Sequence, residues 1–398
     1  MPENIKINRT KFPLTPLLEL PASHGRGKGS LAIAVIPGDG IGPEVTRQAL
    51  KVLNAVAGKF NHQFNFTQCL MGAIAIDQTG EPLPNETIEV CLESDAILFG
   101  AIGDPKYDND PSAKVRPEQG LLKLRKTLQL FANIRPVKTY PSLHHLSPLK
   151  NKQLEGVDLI IYRELTGGIY FGKKTLSEDM SEASDLCIYN KSEIDRIARL
   201  AFNSAQSRRN KLTLVDKANV LETSRLWRKT VQEIAKDYPG VTVDYMFVDN
   251  AAMQLILNPG QFDIILTENM FGDILSDEAS VITGSIGLLP SASVGNKTAL
   301  FEPIHGSYPQ AAGQDIANPI GSILSVAMML DYFDLKEEAG LVREAVEWTI
   351  NNEILTRDLY TVNFYFTSTI GDMMVDYING AIPVTNKNNI ELRKSTII

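Results

Sequence analysis

Two carboxylates four residues apart, Asp273 and Asp277, follow a glycine in the segment Asn269-Met-Phe-Gly-Asp-Ile-Leu-Ser-Asp-Glu-Ala-Ser280. On a helix, side chains at i and i+4 lie roughly 5–6 Å apart on one face, and two like charges there cost about 0.2–0.5 kcal/mol. A divalent cation removes that cost. Hard ions such as Mg²⁺ and Mn²⁺ take oxygen ligands, usually one or two carboxylates completed by water and substrate oxygens. The helical period turns Glu278 about 100° away, into solvent. The competing reading is an acidic helix face in water, since the pair alone is a short pattern.

Three arginines suggest what such an ion would work on. Pro117 suits a helix start, and after it Glu118, Leu121, Leu122 and Arg125 recur at i, i+3, i+4 and i+7. A face carrying an acid, two leucines and a cation is not a pure core face. Arg135 and Arg163 each stand beside apolar, strand-like residues. A buried guanidinium demands an anion, and its fork pairs bidentately with a carboxylate, so three of them suit a di- or tricarboxylic acid. A structural ion pair is the alternative at each one. Lys217 and Asp249 follow strand-like runs over 211–216 and 243–248. Open α/β sheets bind ligands beyond the carboxyl ends of their strands, so these two residues and the acidic pair are expected to converge. No cation other than a metal is expected within reach of the three aspartates.

The elements that must position these residues read as alternating strands and helices. Leu31 to Ile36 is an apolar run ending in Pro37-Gly-Asp-Gly-Ile-Gly-Pro43, and a helical pattern then continues to about Phe60. The spacing is G-x-G-x-G followed by proline rather than G-x-G-x-x-G, and no second strand ending in an acid follows about 20 residues on, which excludes a Rossmann fingerprint. Both a close-packing turn and a ligand-facing loop remain open there. A further buried strand is expected over 95–100, and helices near 320–333, 340–353 and 366–378. There is no internal repeat.

A chain of 398 residues, 43% hydrophobic and 22% charged, favours two domains over one. With 47 acidic against 39 basic residues and no long basic run, nucleic acid and anionic membrane are excluded as partners. Cys69, Cys91 and Cys187 are odd in number and in no C-x-x-C arrangement, which argues against disulfides and structural zinc and for a reducing, cytoplasmic setting. No apolar run approaches the roughly 18 residues that span a bilayer. Residues 1–30, rich in proline and charge, read as a tail. Lys6, Arg9, Lys11, Arg26 and Lys28 allow an organellar transit peptide there, against which Glu3 and Glu19 speak.

The set Leu121-Leu122-x-x-Arg125, Asn133-Ile-Arg-Pro, Arg163-Glu-Leu-Thr-Gly-Gly-Ile-Tyr170, Val215-Asp-Lys217-Ala-Asn-Val220, Asp249, Gly272-Asp273 to Asp277 and His305-Gly-Ser, in this order over about 31–380, resembles the metal-dependent isocitrate/isopropylmalate β-decarboxylating dehydrogenase family. The resemblance implies an α/β, two-domain isopropylmalate/isocitrate dehydrogenase-like fold and not a Rossmann fold. Residues 31–130 plus 284–398 would form the cofactor-binding domain, and 131–283 an inserted domain with the dimer interface and the metal and substrate residues. It further implies NAD-dependent oxidative decarboxylation of 3-isopropylmalate, a step of leucine biosynthesis, by a homodimer with shared active sites.

By the same resemblance, Asp249, Asp273 and Asp277 hold Mg²⁺ or Mn²⁺, with Asp249 also touching substrate. Lys217 is the general base and Tyr170 the acid. Arg125, Arg135 and Arg163 clamp the carboxylates, while Leu121, Leu122 and Val220 of the partner subunit receive the isopropyl group. Lys217 and Asp249 serve the other subunit's site. His305, Gly306, Ser307, Tyr308 and Asn318 line the adenosine end, with Glu118 near the nicotinamide ribose. Gln310 departs from the family's usual aspartate, yet Gln310-Ala311 offers a 2′-phosphate no cation, so NAD is expected with loose discrimination. Isocitrate, homoisocitrate, tartrate or D-malate are alternative substrates, against which Leu121 speaks. A non-catalytic regulatory subunit would have lost the tyrosine, the lysine or an aspartate, and all are present.

Overall fold

The computed structural model describes residues 30–108 and 115–381. The expected tail over 1–30, apart from Ser30, part of the loop before Pro117 and the chain beyond 381 lie outside the described residues. The first apolar run forms β1 (Leu31–Gly38), and α1 (Gly42–Phe60) follows with a proline in its first turn, where the missing N–H costs nothing. Val45, Ala49, Val52, Leu53 and Val56 recur at helical spacing on its buried face. Next come β2 (Phe64–Gln68), α2 (Ala73–Thr79), α3 (Asn85–Glu93), the fully buried β3 (Ala96–Ala101), α4 (Pro105–Asp108) and α5 (Pro117–Thr127). The middle of the chain gives β4 (Ala132–Lys138), α6 (Asn151–Leu154), β5 (Asp158–Glu164) and an exposed ribbon of β6 (Lys174–Leu176) with β7 (Ala183–Asp185). It continues through α7 (Lys191–Gln206), β8 (Lys211–Asp216), α8 (Glu222–Ile234), β9 (Thr242–Phe247), α9 (Val248–Leu257), β10 (Ile264–Thr267) and α10 (Asn269–Ser280). The last part holds β11 (Pro290–Val294), β12 (Ala299–Pro303), α11 (Ile320–Tyr332), α12 (Lys336–Asn351) and α13 (Thr367–Ile378). Every residue of α11 is buried, as a helix apolar all round must be.

Ten strands pair in the order β2-β1-β3-β12-β11-β4-β5-β10-β8-β9. The two flanks are parallel, whereas β12, β11, β4 and β5 run antiparallel to their neighbours across the centre. That central run is foreign to the mostly parallel Rossmann sheet, in line with the G-x-G-x-G-Pro spacing. Strands on the β2 side of the β11–β4 pair come from residues 31–101 and 290–303, and those on the other side from 132–267.

Register then decides which side chains share a face. β4 and β5 pair Asn133 with Arg163 and Arg135 with Ile161, so strand alternation puts Asn133, Arg135 and Arg163 on one face of the sheet. Helix α10 crosses that face at Gly272, where a Cβ would lie 2.6 Å from Arg163 Cγ and 2.7 Å from its Cβ. The glycine is what lets helix and strand approach. Gly272→Ala should therefore destabilise the fold by about 1–3 kcal/mol through overpacking and displace Arg163. Denaturant unfolding checks this, and a midpoint equal to wild type would refute it.

Candidate active site

Helix α10 carries Asp273 and Asp277 on successive turns, as their spacing predicts. Each aspartate meets a guanidinium. Arg163 donates from Nε and Nη2 to Asn269 Oδ1 at 3.0 and 2.9 Å, and from Nη1 to Asp273. Arg135 donates from Nη1 to Ser276 Oγ at 2.7 Å and Asp277 Oδ1 at 3.1 Å, and from Nε to Asn133 Oδ1 at 2.7 Å. The expectation that only a metal could reach these aspartates is thus corrected, because β4 and β5 run directly beneath the helix. Burial pushes Arg163 down to about 10 against the pull of Asp273, and lowers Arg135 against Asp277. Glu278, expected in solvent, is half-buried, and that burial raises its carboxyl pKa. Tyr170 Oη donates to Asp273 Oδ2 at 3.0 Å, and burial followed by the Asp273 charge holds the phenol above its ordinary range.

Beside these groups opens a cleft of about 160 Å³, lined by Leu121, Arg125, Arg135, Ser291, Glu302 to Gly306 and the end of β3. That is room for on the order of ten water-sized groups, the scale of a small branched diacid. Arg125 Nη2 pairs with Glu302 Oε1 at 2.9 Å, while its Nε is buried with no hydrogen-bond partner. Leu122 is exposed and does not line the cleft. His305 is pushed down by burial and its Nε2 is likewise buried without a partner. Ser307 is buried, Tyr308 adopts a left-handed backbone, and Asn318 Oδ1 accepts from Ile320 N, the first amide of α11, at 3.0 Å while its Nδ2 donates to Asp358 at 3.1 Å. Glu118 and Gln310 are exposed.

The glycine-rich segment between β1 and α1 packs closely on its neighbours. A Cβ at Gly38 would lie 1.9 Å from Ala101 O, and one at Gly40 2.0 Å from Ser307 O. Between them Asp39 accepts from the amides of Ala73, Ile74 and Gly103 at 2.9, 3.0 and 2.9 Å.

Lys217 and Asp249 form their own pair, with Nζ 2.8 Å from Oδ1, and the ammonium holds the Asp249 carboxyl below the ordinary range. The described residues contain no group of three or more His, Cys, Asp or Glu able to hold a metal. The described residues thus place Asp273 and Asp277 on one helix and pair Lys217 with Asp249, with no ion pair between the two sets. Val220 is exposed nearby in sequence. Four further contact residues escaped the sequence reading. Asn269 continues the four-residue spacing of the aspartates and Asn133 the two-residue spacing of Arg135, so period alone could have found them; Ser276 and Glu302 gave no local signal.

The donors fit the expected ligands. Oxygen-only side chains one turn apart, with Asp277 66% exposed, suit a hard divalent cation, and the orphaned Arg125 Nε suits a carboxylate. Residues 32–374 match the isocitrate/isopropylmalate dehydrogenase family. The chain belongs to that family. It is 55% identical over 351 residues to the 3-isopropylmalate dehydrogenase of Bacteroides fragilis strain YCH46, covering 88% of this chain and 99% of that one. It is 56% identical over 333 residues to the 3-isopropylmalate dehydrogenase of Bacillus licheniformis, covering 82% and 90%. Its fold is similar to that of an isocitrate dehydrogenase from Methylococcus capsulatus, with a TM-score of 0.78, 33% identity and coverage of 88% and 99%. A β-decarboxylating dehydrogenase from Thermococcus kodakarensis, in its apo form, gives a TM-score of 0.74, 37% identity and coverage of 92% and 99%.

One buried acid in this region has no counter-charge. Glu268, immediately before α10, is 5% exposed, its Oε2 has no hydrogen-bond partner, and burial with the nearby Glu164 raises it to about 7. An acid whose folded pKa lies above its unfolded value weakens the fold as pH rises between the two. Here that window runs from 4.5 to about 7. Above it the penalty is about 3 kcal/mol. Glu268→Gln should melt several degrees above wild type near pH 8 and together with it near pH 5; equal melting at both pH values would refute the assignment.

Proposed function

We propose that this chain is an NAD-dependent, divalent-metal-requiring enzyme that oxidatively decarboxylates 3-isopropylmalate in leucine biosynthesis, acting as a cytoplasmic homodimer. Relatives at 55% and 56% identity over most of the chain carry that activity in their names. The single observation that carries the reading is one cleft in which Arg125 and Arg135 stand beside the apolar Leu121, next to the helix bearing Asp273 and Asp277.

In this reading Arg125, Arg135 and Arg163 bind the two substrate carboxylates, and Leu121, with the partner subunit's Val220, receives the isopropyl group, whereas Leu122 stays outside the cleft. Asp249, Asp273 and Asp277 would hold Mg²⁺ or Mn²⁺, two of them from one chain and Asp249 from the other. Bound there, such a cation would supply Lewis-acid polarisation of the substrate's hydroxyl and keto oxygens, and NAD would supply the hydride acceptor. Lys217 takes the hydroxyl proton, directly or through water. Tyr170, whose phenol is held above its ordinary range by burial and by Asp273, delivers a proton to the carbon that the departing β-carboxylate leaves. His305, Gly306, Ser307, Tyr308 and Asn318 line the adenosine end and Glu118 the nicotinamide ribose. Gln310 brings no cation for a 2′-phosphate, which favours NAD over NADP.

The reading also includes two domains, one from 31–130 plus 284–398 and one from 131–283. A second chain would cover the apolar stripe of Met253, Ile256 and Leu257 on α9 with Ile274 on α10, side chains between 48% and 61% exposed, a patch a solitary soluble chain seldom presents.

Steady-state assays should give kcat/KM for 3-isopropylmalate at least tenfold above isocitrate or malate, since each methylene in an apolar pocket is worth about 1–3 kcal/mol of discrimination. EDTA should abolish turnover and Mn²⁺ restore it, and NAD⁺ should outperform NADP⁺ several-fold. Faster isocitrate turnover, or full activity in chelator, would sink the assignment. Shared sites make a second demand: mixing inactive Lys217→Ala and Tyr170→Phe chains should restore activity in mixed dimers, each holding one intact site. No recovery, with mixed dimers shown to form, would mean sites built within single chains.

A further inference from the structure

The Lys217–Asp249 pair sits on residues that another side chain holds from behind. Lys217 is the first residue after β8, and Asp249 lies in the first turn of α9, two residues after β9 ends. Neither is fixed by burial, since Asp249 is 66% exposed and Lys217 27%. Their supports are Asp216, which closes β8 and is 2% exposed, and Phe247, its register partner, which closes β9.

Arg228 on α8 grips both supports. Its Nε and Nη2 donate to Asp216 Oδ2 and Oδ1, each at 2.8 Å, a full bidentate fork. The same guanidinium carbon lies 5.3 Å from the Phe247 ring centre and 5.5 Å from that of Tyr245. Asp216 Oδ1 also accepts from Ala218 N at 3.0 Å, and the Lys217 amide donates to Ser224 Oγ of α8 at 3.0 Å. Phe247, held on one side by Arg228, lies 6.0 Å from Lys217 Nζ. One planar cation thus ties the end of β8 to the end of β9.

We infer that Arg228 is a positioning residue that sets the aim and separation of Lys217 and Asp249; its catalytic consequence rests on the function proposed above. Two side chains that serve a neighbouring chain's site must be aimed by their own chain, and this brace is what does so. Lysine cannot replace it, because an ammonium neither forks onto Asp216 nor stacks flat on Phe247.

The test compares wild type with Arg228→Gln and Arg228→Lys; the lysine variant keeps the charge and stands in if the glutamine variant fails to fold. Both should lose on the order of 100-fold in kcat, the scale of a displacement of about 1 Å in a catalytic group. KM for NAD⁺ should stay within about twofold, since the candidate cofactor loop lies elsewhere. In mixed dimers an Arg228 variant should regain activity with Tyr170→Phe and none with Lys217→Ala, because its lesion belongs to the same donated half. Trace acetylation with peptide mapping reads the pair without turnover, and Lys217 should label several-fold faster in both variants. Labelling at the wild-type rate, kcat within about twofold of wild type, a parallel rise in KM for NAD⁺, or recovery with Lys217→Ala would each overturn the inference. A wild type inactive on 3-isopropylmalate would instead defeat the proposed function, leaving the labelling arm to decide this one.

Discussion

Two guanidinium groups held under one helix organise the candidate site. Arg163 and Arg135 leave water only because α10 offers each an anion and a neutral acceptor: Asp273 with Asn269 for the first, Asp277 with Ser276 for the second. The same contacts relieve the repulsion between two aspartates one turn apart. Each charge therefore depends on the other, although the guanidinium groups are buried while Asp277 is 66% and Asp273 35% exposed, so water screens the acid side of both pairs. The β4–β5 register, the missing side chain at Gly272 and the length of α10 are all conditions for that match.

The opposite wall of the cleft is built by a different device. Gly38 and Gly40 let the chain turn tightly from β1 into α1, close against the backbone at Ala101 and Ser307, and Asp39 accepts from two amides that open α2 and one from the loop after β3. The Ile41 amide donates to Ser307 O at 2.7 Å, and Ile41, Val45, Ala311 and Ala317 form a small core beneath the loop that begins at His305. That loop is thereby anchored to the first turn of α1. Charge pairing fixes one side of the cleft and backbone packing the other.

The Lys217–Asp249 pair belongs to neither wall. It stands beyond the β8–β9 edge of the sheet, braced by its own neighbours, and among the described residues it forms no ion pair with Asp273 or Asp277 and no three-acid group with them. A site needing all four side chains is incomplete in one copy, and the exposed apolar residues of α9 and α10 lie on the same part of the molecule as its donors.

What the sequence by itself determined is local. Apolar runs marked β1 and β3, period marked α1, α5 and α10, and the i, i+4 spacing put Asp273 and Asp277 on one helical face, because such patterns depend only on neighbours along the chain. The order of its motifs sufficed to identify the family. Tertiary structure alone decided which cation meets which anion. Arg125 finds Glu302 across 177 residues, Arg163 finds Asp273 across 110, Glu278 is drawn partly into the protein, and Leu122 is left exposed outside the cleft that Leu121 lines. That Gly40 packs against Ser307, 267 residues on, was hidden for the same reason. Such pairings depend on strand register and on where a helix crosses a sheet, and these are set by the packing of the whole chain at once.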